Sequence, residues 1–597
     1  MPPSPSDRDS TAQGSNVRDN SYRARRVRRR ATVLAVLAVV SGVGSVLSMA
    51  FLVVQSHQPL PIWDEWVVLK EMAPTFERGL IPKRVFRHFY QHLIVFQRLA
   101  IYVDQTRFGG QGVFPKVAGF ATHLLHGLLF MVWIRAGVTL AGAPRPGRVA
   151  WAGFALAVLF SAQHAIALRS GFQFSMVLSL AAATAAILAF QVATIETGTR
   201  RYLVAFAALL AGTVSSLSFG SGVLVWPTLV LLALLARPVP WGLGWVPATG
   251  VLGTVLARRV NPADLAEGHG FASIIEDPGL VLLRFLALVG IPARPAGMPA
   301  VLALGVVGAL AAAALALWLL RRRLGVGALP FALCGPAAVA AFLLVAMGLA
   351  AAGRAGYGLE QATKERYGVL GAVLWLALLL VWWQARSHAP RTPRRLGDGV
   401  AAAVALGLVI AGLAAHVDRV ARVSIWRLPF EHATSALLAG VEDRDLFAYV
   451  AHSHKNLRRV DPVLRSHRRS IYRDGRHLMI GRPLADAAGT GVSEACVGAV
   501  LSTSQRGGGV RLDGWAVDRS AAPVAVRRLL VVDGADRIVG FGVGGEPKDG
   551  LPPGAMEAPG PSGFVAFAGT GGEGVGGALR AVALLDDSSP CYLTGIP

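Results

Sequence analysis

The sequence predicts a mainly α-helical, polytopic membrane bundle followed by an extracytoplasmic all-β domain of sandwich type. Three observations lead there. Of 597 residues, 53% are hydrophobic and only 16% charged, and mean hydropathy is +0.51; soluble domains carry roughly 25% charged residues. The basic residues fall in short runs between apolar stretches, as topology signals do. From Cys496 onward, short β-rich runs alternate with Gly/Pro turns. A net charge of +23 would suit a nucleic-acid partner if it formed one patch. Its dispersal between apolar spans excludes that class.

Residues 1–30 are polar, then arginine-rich, and predict a disordered basic cytoplasmic tail. The apolar run 31–54 exceeds a signal core of about 7–15 residues and predicts a retained first span. The arginines of 23–30 hold its start in the cytoplasm, so the loop 55–115 emerges outside. Within that loop Val85, Phe86, Phe89, Leu93, Phe96, Ala100 and Ile101 recur at a helical period. They predict an amphipathic surface helix over 84–105.

Further spans are expected near 116–140, 150–168, 174–194, 202–218, 223–236, 241–256, 299–320, 329–352, 369–383 and 400–415, about eleven in all. The run 279–291 is short, contains Arg284 and predicts a re-entrant or interfacial helix. Arg145, Arg148, Arg200, Arg201, Arg321, Arg386 and Arg394 fall on the expected cytoplasmic side, while Arg258 and Arg259 do not. The membrane domain thus covers 31–416.

An odd span count returns the chain outside. Residues 417–492 then form an extracytoplasmic connecting region, with helices near 429–441 and 446–453, and 493–597 a β-sandwich. Its strands are expected at 510–517, 524–532, 538–543, 564–568 and 579–585. Cys496 and Cys591 bracket this region, where an oxidising exterior favours their pairing, whereas Cys334 lies in an apolar span.

Trp63-Asp64-Glu65-Trp66 stands just beyond the first span. A carboxylate there can take the proton of an acceptor hydroxyl, or hold a divalent cation such as Mg or Mn against a phosphate leaving group. Asp before Glu-Trp is equally good helix-capping chemistry, and both readings stand. His88 and His92, one helical turn apart, suit either a metal with Asp64 or the polar edge of an interfacial helix; no fourth ligand is identifiable. Gln163 and His164 precede Arg169 and Gly171-Phe172-Gln173 in a short turn, where polar groups line a cavity or cap helices. Arg354, Lys364, Arg366 and Tyr367 make a cationic outer loop, suited to anionic headgroups or to a lipid phosphate.

Taken in order, these motifs resemble the GT-C membrane glycosyltransferases, relatives of protein mannosyltransferases and bacterial arabinosyltransferases. The resemblance spans 63–383. It rests on Asp64-Glu65, Gln91-His92 with Arg98, Gly171-Phe172-Gln173, Phe219-Gly220-Ser221-Gly222 before Trp226-Pro227, and Arg354…Gly358…Glu365-Arg366-Tyr367. Gln91 stands where an acidic residue is expected, and Glu365 where a small polar one is.

The resemblance implies a polyprenyl-phosphate sugar donor, an envelope glycan or protein acceptor, and a surrounding lipid bilayer. It casts Asp64 as base or metal-supported acid with Glu65 beside it. Arg354, Lys364, Arg366 and Tyr367 would hold the donor phosphate, and His92, Arg98, Gln163, His164 and Gln173 would line the substrate cavity. The sandwich would meet the acceptor through Trp515, Asp518 or Phe564, unless Trp515 is core. Two rival classes are a lipid-linked-sugar flippase and a catalytically silent glycan-binding membrane protein. A flippase would place its polar groups at the midplane, not the outer rim.

Overall fold

The computed structural model describes residues 6–90, 92–141, 145–235, 241–260, 276–325, 329–354, 358–387, 395–488, 492–519, 523–547, 561–569, 579–586 and 588–594. Eight helices among them are long and apolar enough to cross a membrane: Arg29–Gln55, Val113–Gly137, Gly171–Ile195, Gly198–Ser218, Met298–Gly325, Phe331–Ala352, Glu365–Arg386 and Gly397–Ala421. Gly220–Leu235, Trp241–Ala257 and Pro278–Val289 are apolar but only 10–17 residues long. At 1.5 Å per residue each falls short of a hydrocarbon core of about 30 Å. The spans expected at 223–236 and 241–256 are therefore helices of less than full length.

Two further expectations change. From Ser6 the tail continues the first span, since Ser6–Gln55 runs as one helix. The span expected at 150–168 is the helix Arg145–Leu159 followed by short turns at Ala162–His164, Ile166–Arg169 and Gly171–Gln173. Ser161, in extended conformation, stops the helix and caps the first turn through its hydroxyl. Gly42 and Gly153 let this helix cross the first span in backbone contact, as small residues do in membranes.

The outer loop is not one amphipathic helix over 84–105. It forms Pro82–Val85, a two-stranded hairpin of His88–Phe89 with His92–Leu93, and Val95–Arg107. Tyr90, at φ +49°, turns the hairpin and breaks the helical period. His88 and His92 consequently sit on paired strands and share no helix face; Gln91 lies outside the described residues.

The C-terminal strands are β1 Cys496–Arg506, β2 Gly509–Asp518, β3 Val524–Ala525, β4 Arg528–Val532, β5 Ile538–Glu546, β6 Gly563–Gly569, β7 Arg580–Leu584 and β8 Pro590–Tyr592. They form one antiparallel sheet of order β8-β7-β4-β5-β6-β2-β1, with β3 pairing to β2. The sheet is a half-barrel: its two ends meet through the Cys496–Cys591 disulfide and the bond from Thr594 N–H to the Gly498 carbonyl, 3.0 Å. It stands in place of two stacked sheets. Trp515 and Phe564 are buried in it and so offer no surface to a glycan.

Both faces of this sheet are covered. Leu529 and Val531 pack inside the curl, whereas Leu530 and Val532 join a second core. The alternation of side chains along a strand explains why β4 reads as a continuous apolar run. That second core also holds Trp66 and Leu69 of the outer loop and Leu437, Val460 and Tyr472 of the connecting region. One apolar cluster thus binds loop 55–112, the connecting helices and the half-barrel together, on one side of the membrane bundle.

Candidate active site

The Trp63-Asp64-Glu65 turn is fixed by a segment far along the chain. Trp63 N–H donates to the Val450 carbonyl at 2.7 Å, and its indole Nε1 donates to Tyr449 O at 3.0 Å. The Trp63 ring also stacks on His452, with centroids 6.3 Å apart. These bonds hold Trp63 at φ +48°, a left-handed conformation unfavourable for a bulky side chain.

The two carboxylates divide the work. Asp64 occupies the N-cap position of Glu65–Met72, yet its side chain makes no capping bond. Glu65 ties the turn instead: Oε2 accepts from Ile62 N–H at 3.0 Å, and Oε1 accepts from Phe172 N–H at 2.9 Å. Burial pushes the Glu65 carboxyl up, opposed by those two bonds and by Lys116. Asp64 is half-buried, and burial raises its carboxyl above the usual carboxylate range, while His452, Arg366 and Arg354 pull it down. Asp64 therefore faces cations without being tied to the backbone.

Those cations form a compact group. The guanidiniums of Arg354 and Arg366 lie 5.5 and 5.2 Å from the ring centroid of buried Tyr367, within cation–π range. Arg284, 1% exposed, donates through Nη1 to the Arg354 carbonyl. Arg284 Nε and Nη2, Arg366 Nε and the Tyr367 hydroxyl are buried without a hydrogen-bond partner. All four are donors, so what would satisfy them is an acceptor, and an anion best of all. Lys364 points to solvent.

The remaining candidates serve the scaffold. Arg98 is fully buried and donates to the Glu71 carboxylate and the Arg87 carbonyl, so it is an internal strut and does not line the cavity. His92 stacks on Phe219 at 4.8 Å, against the backbone of Gly220. His164 is buried with Nε2 on the Leu159 carbonyl at 2.6 Å, facing the bundle and not the outer cavity. Gln163 borders a void of about 10 Å³ beside it. Gln173 is buried in a turn held by Glu65 on Phe172 N–H and by Gln97 on the Gly171 carbonyl, 2.7 Å.

Glu365, the departure noted in the cationic loop, accepts from Ile166 N–H at 3.2 Å and pairs with Arg419 at 3.1 Å. Two participants escaped the sequence reading. Arg284 carries a legible signal, a charge inside an apolar run. His452 carries none, since only tertiary packing brings it to Trp63 and Asp64.

A cavity of about 210 Å³ opens on the Glu65 side of the turn; Asp64 and the arginine group do not line it. Among the described residues no three His, Cys, Asp or Glu side chains gather to hold a metal ion. A lone carboxylate facing His452 and two guanidiniums is a poor donor set for Mg or Mn, which seek several oxygens. Comparison with known protein families, with characterised proteins and with solved structures finds no match for the chain.

Proposed function

We propose that the chain is a membrane glycosyltransferase of inverting GT-C type. It moves a sugar from a polyprenyl-phosphate donor to an envelope glycan or protein on the outer face of the plasma membrane. The observation that carries this reading is Asp64 in the field of Arg366 and Arg354, whose guanidiniums flank Tyr367, with Arg366 Nε and the Tyr367 hydroxyl buried without acceptors. A phosphate presents only acceptors, and guanidinium forks suit it.

In the reaction the acceptor hydroxyl gives its proton to the Asp64 carboxylate while its oxygen attacks the anomeric carbon. The bond from that carbon to the phosphate oxygen breaks on the opposite face, and its electron pair leaves with polyprenyl phosphate. The configuration inverts. The arginines neutralise the departing charge, and a carboxyl held above its usual range is better matched to accept a proton near neutrality. The poor donor set at Asp64 argues for guanidiniums in the role a divalent cation would fill.

Parity supports the outward orientation. Loop 55–112 and the connecting region share one core, so an even number of crossings separates them. We take Arg145–Leu159, Gly220–Leu235 and Trp241–Ala257 as crossings despite their short length, and Pro278–Val289 as re-entrant, for about eleven in total. The arginine-rich start then stays cytoplasmic, and the half-barrel lies outside.

The test uses purified protein supplied with polyprenyl-phosphate sugars and envelope acceptors. Transfer that disappears in Asp64→Asn, with the fold retained, supports the reading; undiminished transfer removes Asp64 from the mechanism.

A further inference from the structure

The cavity beside Glu65 has no place in the reaction step above, yet its composition is specific. Its charged lining is balanced, with three carboxylates, Glu65, Asp104 and Glu365, and three cations, Lys116, Arg169 and Arg419. Each already has partners, Lys116 the His57 ring at 3.0 Å and the Gln58 carbonyl at 3.3 Å. Arg419 pairs with Glu365 at 3.1 Å, and Arg169 also faces Glu365. Asp104 accepts from Gly112 and Phe114 N–H at 2.7 and 2.9 Å, and Glu65 from Ile62 and Phe172. With three charges of each sign the lining carries no net charge, so a ligand of either sign would meet as many like charges as opposite ones.

The unmatched groups in the wall are neutral. Gln105 is 5% exposed, and its Oε1 has no hydrogen-bond partner; Gln58 Nε2 is likewise buried and unpartnered. Both residues line the cavity. Gln105 is held close against Gly110, where a side chain would collide with its amide. An amide offers both a donor and an acceptor, and a hydroxyl answers both. Trp63, Tyr449, Leu60 and Pro61 supply apolar wall between these polar points. About 210 Å³ is below the roughly 300–1,000 Å³ of drug-sized sites and admits one ring-sized unit.

We infer that this cavity binds a single neutral, polyhydroxylated ring, an uncharged sugar residue held by the amides of Gln58 and Gln105. Asp64 does not line the cavity, so the ring held there is not the one whose hydroxyl reacts; its identification as a neighbouring residue of the acceptor glycan rests on the transferase reading, and the binding itself does not. The residue held there then is a neutral sugar, and neither an acidic sugar nor a phosphorylated one.

The experiment measures tryptophan fluorescence of the full-length protein in detergent, titrated with methyl glycosides of neutral hexoses and pentoses, with glucuronate and with hexose phosphate. The expected result is a saturable change with at least one neutral glycoside and at least tenfold weaker response to the charged sugars. Gln105→Leu and Gln58→Leu each weaken neutral binding at least tenfold while keeping the thermal midpoint. No saturable response to any neutral glycoside, equal or tighter binding of charged sugars, or full binding by both leucine variants overturns the inference. If a leucine variant fails to fold, the neutral-against-charged comparison in the unmodified protein still decides. Failure of the two readings is separable: saturable binding alongside transfer undiminished in Asp64→Asn removes the proposed mechanism and leaves the cavity assignment. Transfer lost in that variant, with no glycoside bound by the unmodified protein, does the reverse.

Discussion

At the turn 62–65 both oxygens of Glu65 accept backbone N–H groups, which leaves Asp64 as the carboxylate free to do chemistry. Burial raises the Asp64 carboxyl, so ionising it costs more in the folded chain than in the unfolded one. Stability from this group is intact below the ordinary carboxylate range and is lost as pH rises through the raised folded value. Asp64→Asn should therefore raise the thermal midpoint at pH 7, while transfer falls on the order of 10²- to 10⁴-fold, the usual contribution of a general base. The acid limb of the transfer rate should lie at higher pH than for a free aspartate, and titrating the rate from pH 4 to 8 checks it. Tyr367→Phe keeps the ring between the arginines and removes only the unpartnered hydroxyl. A lost bond to a charged group, about 1.5–3 kcal/mol, should raise the donor KM at least tenfold and leave the acceptor KM unchanged.

Among the elements, the helix Arg145–Leu159 ends inside the bundle and frees carbonyls where no water can meet them. Histidines answer. With carbonyls as partners the ring nitrogens donate: His123 Nε2 and His164 Nε2 to Leu159 O, both 2.6 Å, and His416 Nε2 to Phe160 O, 3.0 Å. A cluster that suggests a site is thus the means by which a broken membrane helix stays satisfied. His123→Leu should destabilise the bundle by about 0.5–1.5 kcal/mol, the net worth of one bond, since His164 still satisfies Leu159 O; thermal unfolding in detergent reads it. In the outer loop, Arg98→Met leaves Glu71 without its fully buried partner. That should cost about 3–5 kcal/mol, the cost of breaking a buried pair. Transfer per folded molecule should nonetheless be preserved, because Arg98 does not line the cavity beside Glu65.

For the whole molecule, the Cys496–Cys591 bond closes the half-barrel across 95 residues of sequence. Replacing both cysteines by serine should cost on the order of 2–5 kcal/mol and expose the half-barrel to proteolysis before the membrane bundle opens. The shared core couples the half-barrel to the turn 62–65, since Trp66, Tyr472 and Val532 belong to one cluster. Loss of the sheet should accordingly release Trp63 from Val450 and lower transfer along with stability, which parallel proteolysis and activity measurements would follow.

The sequence by itself determined the membrane class, the positions of the long apolar helices, the change to β structure at Cys496 and the acidic turn beyond the first span. Each of these is a local property, set by hydropathy over a window or by period along one element. What only the tertiary structure decided was which carboxylate is free, that Arg98 and His164 are structural, that Arg284 and His452 approach the site, and that the strands close into one curled sheet. Those outcomes depend on contacts between residues far apart in the chain, such as Trp63 with Tyr449, 386 positions on. Local pattern specifies that a polar group is present; only packing from distant segments determines which atoms are left to satisfy it.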